Sequence, residues 1–198
     1  MMKFFLVAGL CCFTSPVKAP APASTEAVIA AMWAKAPEDF AARIAQDETQ
    51  ALCTQTRNAP SPAEFEAIVA RERKTIVYPA DGQVTGDWKR GEKIAQSGAG
   101  GQFSDSAATA HGGNCYACHQ MDPRELSYGT LGPSLAGYGR NRQSDAAAAK
   151  AAFAKIFNSQ SVNACSGMPR FGANKFLDEQ QIKDVTAYLM DKDSPVNQ

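Results

Sequence analysis

Apolar residues recur at helical spacing in several separate stretches of this 198-residue chain. The clearest is the last. Ile182, Val185 and Leu189 share one face, Tyr188 widens it, and Asp178 with Gln181 three residues on spells a capping box at its start. Phe153, Ile156 and Phe157 form a stripe in an Ala-rich helix that Ser144 is expected to cap. Asp87 is a suitable cap for a helix to Gln96, with Gly91 and Ile94 available for close packing. Ser61-Pro62-Ala63-Glu64 is a helix start with Ser at N-cap, Pro at N1 and Glu at N3, followed by Phe65, Ile68 and Val69 on one face. Residues 25–56 read as helix interrupted near Pro37. Residues 76–85, 97–114 and 129–139 are rich in Gly, Ser, Ala or Pro and read as connector, loop and turns. No strand ladder and no internal repeat is visible, so the expected fold is all-α.

The N-terminus breaks this pattern. Lys3 precedes an apolar run from Phe4 to Phe13, and Val17-Lys18-Ala19 ends in small residues, the form of a secretory signal cut after Ala19. The run is too short to span a bilayer. Cys11 and Cys12 lie within it, without the small residues that precede the cysteine of a lipoprotein signal, and are expected to leave with it. The expected organisation is a signal peptide (1–19), a helical N-terminal extension (20–85) whose first residues are Pro/Ala-rich, and a C-terminal domain (86–198). The expected location is the periplasm. Cleavage removes two lysines and no acid from 20 basic and 20 acidic residues. The small acidic excess left gives no reason to expect nucleic acid or an anionic membrane as partner. No later segment is apolar enough for membrane insertion.

Cys115-Tyr116-Ala117-Cys118-His119 carries the chemistry. C-x-x-C-H is the spacing of covalent c-type haem attachment, in which two thiols add to the vinyl groups and the following imidazole binds the iron. A thioredoxin-like Cys pair is the competing reading, and a structural zinc needs two further ligands where the chain offers one other His. His119 is therefore the expected proximal ligand of one haem c. Its second ring nitrogen needs an acceptor, and the carbonyl of Pro133, 14 residues on, is the candidate; an ordinary loop proline is the alternative. For the distal ligand, Met121 is too close to His119, while Met190 and Met32 read as core. Met168, in a loop and stiffened by Pro169, is the best candidate, with Cys165 and His111 as competitors. Arg140 and Arg142 are candidates near a propionate, or solvated loop charges. Cys53 and Cys165 remain after haem attachment. They form one disulfide, stay free, or bridge to another protein.

Several segments carry a resemblance. Gln102-Phe103-Ser104-Asp105, the run GGNCYACHQ from Gly112, YGTLGPSLAGYG from Tyr128, Met168-Pro169-Arg170-Phe171-Gly172 and LDEQQIKDVTAYL from Leu177 resemble, in this order, the SoxX family. Its members are mono-haem cytochrome subunits of the SoxAX complex of bacterial sulfur oxidation. The resemblance covers the last 110 residues or so. It implies a class I cytochrome c fold and a tight heterodimer with SoxA. It also implies that complex's activity, an L-cysteine S-thiosulfotransferase that oxidatively attaches thiosulfate to a cysteine of the carrier SoxYZ. In the family the sulfur chemistry takes place at a haem of SoxA with a modified cysteine ligand, and SoxX passes the electrons to a diffusible cytochrome c. The chain has no arranged nucleophile, base and orienter of its own, so no catalytic residue is assigned to it. A free, diffusible mono-haem carrier is the alternative, and a ligand-sensing haem domain is another. Residues 20–85 lie outside the resemblance. Trp33, Phe40, Phe65 and Trp88 are free to pack on their own domain or on SoxA.

Overall fold

The computed structural model describes residues 24–36, 43–102 and 104–198. The signal peptide expected over 1–19, with Cys11 and Cys12, lies outside them, as do Pro37 and Phe40. Among the described residues there is no β-strand, so the architecture is all-α. None of the described helices is long and apolar enough to cross a membrane.

The chain divides into two units, at Ile44 and Ala45. In the first, α1 (Thr25–Trp33) starts at Ser24, whose side chain accepts the Ala27 N–H. It buries none of its residues. Met32, expected in a core, is 75% exposed, and Val28 and Ile29 are exposed with it. Apolar spacing alone does not bury a nine-residue helix.

The second unit, Ala45–Gln198, runs across position 86, so residues 45–85 pack in the same body as the C-terminal region. It contains α2 (Glu48–Gln55), α3 (Pro62–Arg73), α4 (Trp88–Gln96), α5 (Ala146–Phe157) and α6 (Glu179–Met190). Capping boxes open α2, α3 and α6, at Asp47/Gln50, Ser61/Glu64 and Asp178/Gln181. Each satisfies backbone N–H groups that a helix start leaves without partners. The cap of α5 is Asp145, not Ser144 as expected. Ser144 sits in the left-handed region at φ 47°, and its hydroxyl instead donates to the Met190 carbonyl at the end of α6.

Two cores organise this unit. In the larger, α4 and α5 pack on α6, burying Phe153, Ile156, Ile182, Val185, Tyr188, Leu189 and Met190 with Met121. Each large apolar side chain so buried contributes about 1.5–3 kcal/mol. Gly91 allows the close approach of α4 to α6, because a Cβ there would lie 2.0 Å from the Asp184 carbonyl oxygen. The contact is fixed by charge as well. The buried Asp184 carboxylate accepts from Arg90 Nε at 2.7 Å, the Asp87 N–H at 2.8 Å and Gln180 Nε2 at 2.8 Å. Burial opposes ionisation of Asp184, but these donors outweigh it and hold the carboxyl below its ordinary range. The smaller core joins Cys53, Ile68, Val69 and Ala164, with Leu52, Phe65 and Cys165 at its edge. It fastens α2 and α3 to the loop that follows α5.

Candidate haem site

The Cys115–Cys118 segment is a single tight turn. The Cys118 and His119 N–H groups both donate to the Cys115 carbonyl, at 3.1 and 2.9 Å. The turn starts from Asn114, which is left-handed at φ 46°. Both thiols are free. Burial pushes the Cys115 thiol up to about 12, so the free thiol stays protonated at neutral pH. Tyr116, between the two cysteines, is buried and shares a 2.8 Å hydrogen bond with the Tyr188 hydroxyl of α6, while the Asp122 N–H donates to it at 3.1 Å. Burial raises both phenols, and they remain neutral. This pair pins the motif to the last helix.

The loop after the motif folds back under the imidazole. His119 Nδ1 lies 2.7 Å from the Pro133 carbonyl oxygen, which accepts its proton. That bond leaves Nε2 as the nitrogen available to iron. The return is fixed by main-chain bonds: Gly129 N–H to the Tyr116 carbonyl (2.8 Å), Gly132 N–H to Cys118 (2.8 Å) and Leu135 N–H to Gln120 (2.7 Å). Gly132 is required by space. A Cβ there would lie 2.1 Å from His119 Cε1.

Met168 is partly buried against the larger core. Its carbonyl accepts the Ser159 hydroxyl at 2.5 Å, and its N–H donates to Ser166 Oγ at 3.3 Å. Of the two competing ligands, Cys165 is engaged in a disulfide, and His111 uses one ring nitrogen. Cys165 is bonded to Cys53, with Cα atoms 5.4 Å apart. His111 Nδ1 is 2.7 Å from the Phe176 carbonyl, and its ring stacks on Phe176 at 4.4 Å. Met121 and Met190 are buried in the core. Arg140 and Arg142 are also committed. The first donates to the carbonyls of Asn197 and Gln198, and the second lies 3.8 Å over the Tyr138 ring and donates to the Tyr138 carbonyl.

Sequence reasoning missed the groups that surround Met168. Arg170 is buried, 8% exposed, and pairs with Asp47 and Glu72. Ser159 opens a short 3-10 turn, capped by Asn158, that no periodicity marks. The signal available in the sequence was an arginine directly after Met168-Pro169, which carries no partner information by itself.

The donor set fits a covalent haem. Two free thiols sit in one turn, an imidazole is fixed through one nitrogen with the other left for iron, and a glycine stands where any side chain would displace the ring. Among the described residues no group of three or more His, Cys, Asp or Glu side chains is gathered to hold a bare metal ion.

Residues 105–192 match the cytochrome c family. Over 159 residues the chain is 38% identical to an uncharacterized lipoprotein of Aquifex aeolicus (strain VF5), covering 79% of this chain and 75% of that protein. Covalently bound haem c and electron transfer follow from this cytochrome c domain over residues 105–192, in which a held imidazole stands beside two free thiols.

Proposed function

We propose that this cytochrome is the SoxX-type, electron-accepting subunit of a two-protein complex that conjugates thiosulfate to a carrier cysteine. Its partner, a SoxA-like chain, performs the sulfur chemistry. When bound, the single haem c supplies a one-electron carrier. The chain would hold it through the thiols of Cys115 and Cys118, the oriented imidazole of His119 and the Met168 thioether. The observation that carries the reading is the place of the GTLGPSL segment. Its Pro133 carbonyl orients His119, so one of the stretches that carry the resemblance to SoxX is the stretch that holds the proximal ligand.

The test is co-purification. Tagged full-length chain, matured with haem, should retain a SoxA-like chain, and thiosulfate-dependent loading of the carrier should need both proteins. Thiosulfate consumption by this chain alone, at the rate of the pair, would overturn the division of roles. The ligand set has its own test. Met168→Ala should lower the reduction potential, because thioether ligation raises it. An unchanged ferric spectrum in that variant would remove Met168 from the iron.

The relative's description as a lipoprotein favours a second reading, a carrier tethered to a membrane through Cys11 or Cys12. Mass spectrometry of the mature protein separates the two. Cleavage after Ala19 leaves neither cysteine, whereas tethering leaves an acylated one.

A further inference from the structure

Met168 sits between two anchors that land on the same pair of helices. Three residues before it, Cys165 is bonded to Cys53 of α2. Two residues after it, the Arg170 guanidinium reaches Asp47 Oδ2, the N-cap of α2, at 2.6 Å and Glu72 Oε2 of α3 at 3.4 Å. Ser159, whose hydroxyl holds the Met168 carbonyl, begins a 3-10 turn that is tied to α3 in turn, through Arg73 Nε to the Ser161 carbonyl at 3.1 Å. Asn158, just before that turn, donates to Glu72 Oε2 at 2.7 Å and to Thr75 Oγ1 at 2.8 Å. The Thr49 hydroxyl of α2 donates to Glu72 Oε1.

Glu72 is 4% exposed. A carboxylate removed from water is retained only where donors replace its hydration. Here Thr49, Asn158 and Arg170 do so, one donor from α2, one from the turn beside Ser159 and one from the Met168 loop. Arg170 is the group that links all this to Met168, because its planar fork meets two acids at once. None of these residues touches the thiols or the imidazole.

We propose that Arg170, held by Asp47 and Glu72, is a positioning residue for the distal ligand. It sets the position of the Met168 thioether, so that α2 and α3 decide how readily an outside ligand displaces it. The inference rests on Met168 as axial ligand and goes beyond it by naming what holds it there. Its function is to keep the sixth coordination position closed during electron exchange.

The test uses purified holoprotein well below its unfolding transition. The readouts are the methionine-to-ferric-iron charge-transfer absorption and the dissociation constant of imidazole for the ferric protein. R170Q should lose most of the absorption and bind imidazole roughly tenfold more tightly, because a buried charge pair is broken next to the ligand. D47N is the gentler variant. Asn caps a helix as well as Asp does, so the helix start survives while one acid of the fork is lost, and imidazole binding should tighten roughly threefold. R170K should fall between R170Q and wild type, since an ammonium cannot serve both acids in the planar fork. E48Q is the control. Glu48 is exposed and bonds Arg71 at the outer edge of the same network, and it pairs with neither Glu72 nor the Met168 loop, so this variant should match wild type. Wild-type absorption and imidazole affinity in both R170Q and D47N would overturn the proposal. An equal shift in E48Q would assign the effect to general loosening and overturn it too. If R170Q yields no holoprotein, D47N decides alone. Absence of the charge-transfer absorption in the wild type defeats the Met168 assignment itself, and the proposal with it, and is thereby told apart from a failure of positioning alone.

Discussion

His119 and Met168 sit in loops that are held by different means. The imidazole is fixed by partners close in the chain. Pro133 is 14 residues away, and the bonds from Gly129 and Gly132 reach back to Tyr116 and Cys118. The Tyr116–Tyr188 pair is the long tie on that side, and it holds the turn, not the ring. The Met168 loop adds to its short bonds with Ser159 and Ser166 a set of partners far away in sequence. Cys53 lies 112 residues before Cys165, and Asp47 and Glu72 lie 123 and 98 residues before Arg170. Local ties form as soon as the segment folds, whereas long ties wait for the whole unit, since loop closure costs entropy that only the final contacts repay. Damage to α2 or α3 is therefore expected to reach Met168 while His119 stays in place.

The largest expected break comes at the disulfide. C53S removes a bridge across more than a hundred residues and should lower the free energy of unfolding by about 2–4 kcal/mol, with the haem cross-link holding the loss below the full loop-entropy value. Denaturant titration measures it. Haem retention should stay intact while the methionine charge-transfer absorption falls. Loss of haem with that absorption preserved would reverse the comparison.

G132A attacks the other side. A Cβ 2.1 Å from His119 Cε1 forces the ring or the loop to move, a clash that costs about 1–3 kcal/mol. The expected outcome is a lower yield of holoprotein and a changed ferric spectrum, with the Cys53–Cys165 bridge still formed by mass spectrometry. A normal yield and spectrum would show that the proximal loop has slack.

Asp184 tests whether the helix crossing under both sides is shared. Its carboxyl titrates below the ordinary value when folded. Its stabilising contribution is therefore fully present above the unfolded carboxylate range and is lost as pH falls through the folded value, below about pH 4. D184N should remove about 1–2 kcal/mol at pH 7 and flatten the acid limb of the stability profile. An unchanged acid limb would clear Asp184 of this role.

The smallest effect is expected from Y188F, which deletes one hydroxyl of the buried pair and should cost about 1 kcal/mol. Thermal unfolding reads it. A shift in potential larger than the shift in stability would mean that Tyr116 transmits strain to His119.

This division also explains what the sequence disclosed. Asp178-x-x-Gln181 and Ser61-Pro62-x-Glu64 mark helix starts because a cap is a local bargain between neighbours, and the structure opens α6 and α3 there. C-x-x-C-H is legible for the same reason. Ser144 misled because two adjacent residues, Ser144 and Asp145, both have capping side chains. The choice was made by a carbonyl of Met190, 46 residues on, that needed a donor. Met32 misled because periodicity records a face and not what covers it. Arg170 and Glu72 were illegible because a buried ion pair leaves no spacing rule when its members lie about a hundred residues apart. The charge of each is visible, but the partner is not.

The Cys53–Cys165 bond has a consequence for how the protein is made. Four cysteines of the described chain must end in two incompatible chemical states, one pair oxidised to a bridge and the other kept as thiols until haem is attached. On an unfolded chain the oxidant meets the wrong pair first, because Cys115 and Cys118 close a far smaller loop than Cys53 and Cys165. Thiol–disulfide exchange can undo that error only while a reductant reaches the turn. Biogenesis thus becomes a problem of order: the distant pair must be sealed and the near pair kept open, and a cell unable to do both at once would accumulate a folded chain without its pigment.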